Sequence, residues 1–248
     1  MARHADYLLV DVSNSFTKIA FASRQKVERA VRIETARLTN GVLARYLRRR
    51  QVETVVVSSV VPKKNRTIRS AVRGRKIVWV SARIPLGITV DYPKPLTIGA
   101  DRLANAAAVA SLYRVPAIVV DFGTAVTFDI VSEEKSYIGG VICPGLEAMT
   151  NFLYQRTALL PRLSLKEPRR AVGKSTMEAM RSGAIYGYRG LVREIIARIC
   201  EQEFAGKRVE VVGTGGYAQL IARKLSVIER VNPQLTLEGL RMVGNLNR

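Results

Sequence analysis

The chain has 248 residues, 48% of them hydrophobic, which suits one or two α/β domains with a buried core. One histidine (His4) and two cysteines (Cys143 and Cys200) argue against a Ser-His-Asp or Cys-His hydrolase, a disulfide framework and a Cys/His metal site. No apolar run reaches the ~20 residues needed to span a membrane, and the N-terminus meets Asp11 before a secretory apolar region is complete, so a soluble protein of a reducing cytoplasm is expected.

In chain order, the first element is a hairpin. Leu9 and Val10 lead to Asp11, Val12, Ser13, Asn14, Ser15, Phe16, Thr17 and Lys18, and Ile19-Ala20-Phe21 returns: a buried strand, a turn of small polar residues, then a second strand. Residues 38–50 read as a helix, and residues 53–59 and 76–80 as buried strands. Residues 21–80 also concentrate the positive charge, with 16 Lys/Arg against 3 Asp/Glu in a chain whose formal charge is +20. These cations are scattered through strand- and helix-like segments with few aromatics among them. A solvated basic surface that attracts anions is favoured over a nucleic-acid interface, for which no recognised motif is present. Gly99-Ala100-Asp101-Arg102 then opens a helix over residues 103–113, and Pro116 marks a boundary between a first lobe, 1–112, and a second, 113–248.

The second half restarts on the first motif. Val119-Val120-Asp121-Phe122-Gly123-Thr124-Ala125-Val126-Thr127 repeats two aliphatics, an aspartate, a hydrophobe, three small or polar residues, a hydrophobe and a threonine. A second apolar run, 128–131, completes the hairpin. Residues 136–142 read as a strand, 176–188 and 190–204 as two helices, 209–212 as a strand, and 217–225 as a helix entered through Thr214-Gly215-Gly216. Two related α/β halves are expected to face each other across a cleft.

An aspartate at a strand end, followed by small residues, is suited to phosphates: backbone amides and hydroxyls approach the phosphoryl oxygens while the carboxylate faces a cation or its water. One such turn is a weak signal, since Asp and Asn favour turns for local reasons. Two in corresponding places favour phosphate or ion binding, with Lys18 adding positive charge. The Gly-rich turn at residues 213–216 fits a nucleotide site but is not a Walker loop. Gly173-Lys174-Ser175-Thr176 lacks the upstream glycine of a Walker loop and reads as a loop with a helix cap at Ser175 or Thr176. Asp101 alone would read as a helix cap. Its place between the two phosphate-like turns, after Tyr92-Pro93-Lys94-Pro95, makes it a candidate acceptor of a substrate hydroxyl's proton, beside an arginine able to pair with a carboxylate or phosphate.

Taken in order, these segments resemble the type III pantothenate kinases. The resemblance spans nearly the whole chain and adds Ser58-Ser-Val-Val-Pro62, Gly139-Gly-Val-Ile-Cys-Pro-Gly145, Thr157-Ala-Leu-Leu-Pro161 and Pro233-Gln-Leu-Thr-Leu-Glu-Gly-Leu240 to the motifs above. It implies an α/β fold of two related ribonuclease-H-like lobes around a central cleft, in the actin-like ATPase superfamily. The implied reaction is ATP-dependent phosphorylation of pantothenate, the first step of coenzyme A synthesis. By the same resemblance, Asp11 to Lys18 and Thr124 would bind ATP, and Asp121 a monovalent cation (K⁺ or NH₄⁺). Tyr92, Gly99, Ala100, Asp101, Arg102 and Thr176 would contact pantothenate, with Asp101 as base. Mg²⁺ would arrive with the nucleotide, and the enzyme would be a cytoplasmic homodimer with no membrane or nucleic-acid partner. The family's first turn usually reads Asp-x-Gly-Asn-Thr. Here Ser13 and Ser15 stand in place of the glycine and threonine, and Ser13 adds a Cβ where phosphate approaches or positive φ is favoured. Two other readings are a related kinase or phosphatase acting on another small alcohol, and a nucleotide-binding regulatory or nucleic-acid-associated protein of the same fold.

Overall fold

The structure, a computed structural model, describes residues 3–248. Its strands are β1 (Arg3–Val12), β2 (Phe16–Ala22), β3 (Val31–Glu34), β4 (Arg50–Ser59), β5 (Lys76–Trp79), β6 (Thr89–Val90), β7 (Ala117–Phe122), β8 (Ala125–Val131), β9 (Ser136–Pro144), β10 (Glu210–Gly215) and β11 (Arg230–Val231). Its helices are α1 (Asn40–Arg49), α2 (Pro62–Ala71), α3 (Ala100–Leu112), α4 (Leu146–Arg156), α5 (Thr176–Glu203), α6 (Ala218–Ala222) and α7 (Leu235–Leu246), with 3-10 turns at Thr35–Arg37 and Pro95–Thr97. The chain divides into two units. One takes residues up to 113, together with 131–139 and 234–248; the other takes 114–130 and 140–233.

The first unit is built on a mixed sheet in the order β3-β2-β1-β4-β5, with β1 antiparallel to β2 and parallel to β4. Residues 7–10 form a continuous apolar run because β1 is covered on both faces. Leu8, Val10 and Val12 face Leu43 and Leu47 of α1 and Ile68 of α2, while Tyr7 and Leu9 face Leu103 and Ala107 of α3 and Leu240 of α7. Neither α1 nor α2 contains an acidic residue, and both expose arginines, including Arg45, Arg48, Arg66 and Arg69. Helix α7 approaches α3 so closely that a Cβ on Gly239 would lie 2.6 Å from the carbonyl carbon of Ala104 and nearer still to its oxygen. In the same buried seam the Thr236 hydroxyl donates to Asn105 Oδ1 at 2.8 Å. These contacts hold α3, and with it the Gly99–Arg102 segment. Short strand β6 pairs in parallel with the start of β9, Thr89 opposite Ser136 and Val90 opposite Tyr137.

The second sheet has the order β11-β10-β7-β8-β9-β6, and in the second unit β10 runs parallel to both β7 and β11. Helix α5 is a single 28-residue helix where the sequence suggests two. Gly187 and Gly190 do not break it, because they sit on its exposed side while Ile185, Tyr188, Arg189, Val192 and Ile196 are buried at helical spacing. Ser175 is its cap: its hydroxyl accepts from the Glu178 amide at 3.3 Å, and Glu178 in turn accepts from the Lys174 amide at 2.8 Å. Arg189 donates twice to Glu167, at 3.0 and 2.8 Å, and also to the carbonyls of Leu220 and Ile221, tying α6 and the segment before α5 to one buried guanidinium. Helices α2, α4 and α7 were not anticipated from sequence, and the expected helix over 217–225 contracts to α6 followed by turns. Among the described residues no helix is long and apolar enough to cross a membrane.

Candidate active site

The hairpin of β1 and β2 places Asp11 at the end of a central strand, 4% exposed, with Lys18 beside it on β2 and Ser58 on β4. Residues paired in this way project from one face of a sheet, so Lys18, Asp11 and Ser58 form a row of cation, carboxylate and hydroxyl. The Ser58 side-chain oxygen is fully buried with no hydrogen-bond partner among the described residues. At the turn, the Ser13 amide donates to the Phe16 carbonyl at 3.1 Å. Thr35 straps the outside: its hydroxyl donates to the Ser13 carbonyl at 2.7 Å and its amide to the Ser15 carbonyl at 3.0 Å. Thr17 is buried and shares a hydrogen bond with the Thr35 hydroxyl at 3.0 Å, so its side chain supports the turn from behind. Asn14 and Ser15 are exposed at the tip, and Arg32 lies 3.4 Å above the Phe16 ring. Ser13 does not adopt positive φ, so its Cβ carries no backbone strain.

In the second unit, Asp121 ends β7 in the same manner and is paired with Thr214 of β10. The Thr214 hydroxyl, like that of Ser58, is fully buried without a hydrogen-bond partner among the described residues. The surroundings of this turn are glycine. Gly215 has φ +91, and a Cβ there would lie 2.7 Å from the backbone of Phe122 and nearer still to Asp121 Oδ1. A Cβ on Gly145 would lie 2.6 Å from the Gly123 carbonyl oxygen and nearer still to that of Thr124, which accepts from the Gly145 amide at 3.1 Å. Thr124 is exposed at the tip. A half-buried carboxylate beside a buried hydroxyl is an all-oxygen donor set, which fits a hard monovalent cation. No group of three or more His, Cys, Asp or Glu able to hold a metal ion occurs among the described residues.

Gly99 is the N-cap of α3, and Ala100 and Asp101 are the first two helical residues. The Asp101 carboxylate folds back over the cap: Oδ1 accepts from the Arg102 amide at 2.9 Å and sits where a Cβ on Gly99 would come within 2.6 Å. Glycine at 99 therefore leaves room for the carboxylate. Arg102 lies over the Tyr137 ring, 5.7 Å from its centroid, and Tyr92 meets that ring edge-on at 6.2 Å. Tyr137 was not singled out from sequence, because its contacts are long-range: 45 residues separate it from Tyr92 and 35 from Arg102. Thr176 is exposed at the first position of α5, away from the hairpin of its own unit in sequence. The structure thus assembles three groups: Asp11 to Lys18 in one hairpin, Tyr92 with Gly99 to Arg102 around Tyr137, and Asp121 with Thr124 in the second hairpin.

The two cysteines are unpaired and half-buried, and burial raises the pKa of both thiols, as befits unreactive side chains. Burial also raises the Tyr188 hydroxyl, which donates to the Pro144 carbonyl at 3.4 Å. Neither observation points to thiol or phenolate chemistry.

The family model described as type III pantothenate kinase matches residues 7–198. A type III pantothenate kinase from Akkermansia muciniphila is 46% identical over 97% of this chain and 99% of its own length; one from Methylacidiphilum infernorum is 41% identical over 96% and 88%. Among solved structures, a conserved Baf-family protein from Campylobacter jejuni superposes with a TM-score of 0.64 at 18% identity, covering 97% of this chain and 98% of the other. An inorganic polyphosphate/ATP-glucomannokinase from Arthrobacter sp. strain KM superposes at 0.55 and 12% identity, covering 99% and 100%. The structural likenesses speak for the fold, α/β with two mixed sheets, and the sequence likenesses for the family. The chain belongs to the type III pantothenate kinase family.

Proposed function

We propose that this protein transfers the terminal phosphoryl group of ATP to the primary hydroxyl of pantothenate, giving 4′-phosphopantothenate, the first step towards coenzyme A. The observation that carries the reading is Asp101, whose carboxylate is held over Gly99 at the start of α3 in a chain of this family. Phosphoryl transfer needs positioning and charge neutralisation more than covalent chemistry. Asp101 orients the hydroxyl and takes its proton as the phosphoryl group arrives. Arg102 pairs with the substrate's carboxylate, Tyr92 forms an exposed wall, Gly99 and Ala100 offer backbone contacts, and Thr176 adds a further substrate contact.

The Ser13 and Ser15 hydroxyls and the Asn14 side chain at the tip of the turn receive the ATP phosphates, and Lys18 offsets their charge. Val12, Phe16 and Thr17 shape the turn from behind, Asp11 would hold water around the nucleotide's Mg²⁺, and Thr124 contacts ATP. Asp121, with Thr214 beside it, holds K⁺ or NH₄⁺. Bound cations supply charge neutralisation at the phosphates. In this reading the first unit carries the phosphate loop and substrate segment, and the second carries the cation turn and the dimer-forming helices.

The dimer is supported by the outer side of α4 and α5, where Met149, Phe152 and Tyr186 are exposed and Gly183, Gly187 and Gly190 have nothing within 4 Å of an added Cβ. Light scattering is expected to give twice the 27.4 kDa chain mass, and Gly187→Leu to reduce it. Two unpaired cysteines favour a cytoplasmic setting.

The test is direct. Purified protein with ATP, Mg²⁺ and pantothenate should form 4′-phosphopantothenate, faster with K⁺ or NH₄⁺ than without. Asp101→Asn should lower kcat by about 10²–10⁴-fold, the usual worth of a general base, with folding intact. No product under these conditions would sink the reading. Product formed equally well by Asp101→Asn would remove Asp101 from its role.

A further inference from the structure

We propose that Tyr137 is a positioning residue that sets selectivity for the substrate's carboxylate, by holding Arg102 and Tyr92 on one buried ring. The proposal rests on the reading of Arg102 as the partner of that carboxylate. Tyr137 is 0% exposed and touches the segment in three ways. Its carbonyl accepts from the Asp91 amide at 2.9 Å, which ties the backbone immediately before Tyr92 to β9. Its ring receives Tyr92 edge-on, at an interplanar angle of 66°. Its π face lies under the Arg102 guanidinium, at a distance within the ~6 Å over which a ring quadrupole attracts a cation.

The chemistry of that last contact matters. A π face attracts a guanidinium and orients it while adding no formal charge of its own. Arginine carries several rotatable bonds, and a side chain already oriented loses less entropy when it pairs. The position of the ring also explains why residues 131–139 belong to the first unit. The start of β9 lies against β6 and delivers one tyrosine beneath the substrate segment.

The experiment compares Tyr137→Phe with Tyr137→Leu, measuring steady-state kinetics and competition between pantothenate and the alcohol analogue in which CH₂OH replaces the carboxylate. Tyr137→Phe keeps the ring and should keep wild-type KM for pantothenate within about twofold. Tyr137→Leu should raise that KM about tenfold, leave the KM for ATP within about twofold, and lose about tenfold of the preference for pantothenate over the alcohol. A general loss of packing would instead weaken both ligands alike. Stepwise fluorination of a phenylalanine introduced at position 137 supplies a second measurement. It drains the π face without changing its shape, so KM for pantothenate should climb with each fluorine.

The outcomes separate cleanly. Failure of the wild-type enzyme to prefer pantothenate over the alcohol would overturn the carboxylate role of Arg102, and the role of Tyr137 with it. Wild-type preference persisting in Tyr137→Leu, or a flat fluorination series, would overturn Tyr137 alone.

Discussion

The two aspartate hairpins share one sequence pattern and are held by different means. Around Asp11 the supports are hydroxyls: Thr35 straps the turn, Thr17 backs it, and Lys18 and Ser58 flank the carboxylate. Around Asp121 the supports are glycines, with Gly145 and Gly215 placed where any side chain would enter neighbouring backbone. Contrast extends to the seams behind them. The α3–α7 seam of the first unit is sealed by a neutral hydrogen bond between Thr236 and Asn105, that of α5 in the second by the ionic pair of Arg189 and Glu167. One sequence pattern can thus hold its carboxylate either by side-chain bonds or by close backbone contact. The two versions then tolerate change very differently.

The sharpest way to break this comparison is Gly215→Ala. The residue would have to keep φ near +91 and place a methyl against Phe122 and the Asp121 carboxylate, so about 3 kcal/mol of stability should be lost. Gly216 is the control, since an added Cβ there meets nothing within 4 Å and φ is not positive; its alanine variant should stay within ~0.5 kcal/mol of wild type. Urea denaturation reads both. Should Gly215→Ala prove as stable as Gly216→Ala, the second hairpin does not depend on close backbone contact.

Glu167→Gln tests the ionic seam. Arg189 is 3% exposed, and removing the carboxylate charge leaves its guanidinium with neutral acceptors only, the carbonyls of Leu220 and Ile221 and the glutamine amide oxygen. Glu167 is partly exposed, so the expected loss at pH 7 is about 2 kcal/mol, below that for a fully buried pair. The bidentate bond from Arg189 holds the Glu167 carboxyl below its ordinary value. A lowered folded pKa stabilises the native state above the unfolded pKa, and that contribution disappears as pH falls through the folded value. The stability gap between wild type and Glu167→Gln should therefore be full above about pH 5 and close progressively below the ordinary ~4.3 of a glutamate. Asn105→Ala, in the neutral seam, should destabilise without this pH dependence.

What could be read from the residues follows the same divide. Both hairpins were legible because their apolar runs, aspartates and small turn residues are contiguous in the chain, and β1–β2 and β7–β8 lie where those runs predict. Helix α7 was not, since Gly239 and Gly244 lower its intrinsic helicity; they are there because Ala104, Tyr7 and Val56 leave no room for a side chain. The single helix α5 was split at glycines whose harmlessness depends on which side is buried. Within the candidate site, local motifs pointed to Asp101 and Arg102, whereas Tyr137 gave no local signal. A tyrosine in an apolar strand looks like core, and only strand pairing shows what lies above its ring. Contiguous chemistry is visible in one dimension; the contacts that orient it are not.

A smaller effect than at Gly215 or Glu167 is expected at Ser13, where the first hairpin departs from the family's usual glycine. Were that glycine needed for positive φ, serine would be strained and Ser13→Gly would stabilise the protein. Ser13 adopts no such angle, its amide donates to the Phe16 carbonyl, and its own carbonyl accepts from Thr35. Glycine would keep both bonds while gaining freedom in the unfolded chain, so Ser13→Gly should lose roughly 0.5–1 kcal/mol. The KM for ATP should move by less than about twofold, because the turn backbone that presents Asn14 and Ser15 to phosphate is already set by Thr35. Equilibrium denaturation and ATP titration of the one variant decide both points. A stabilised variant would mean that the serine is strained after all, and a KM lowered about tenfold would mean that its Cβ stands in the way of phosphate; either would remove the distinction drawn between a hydroxyl-built and a glycine-built hairpin.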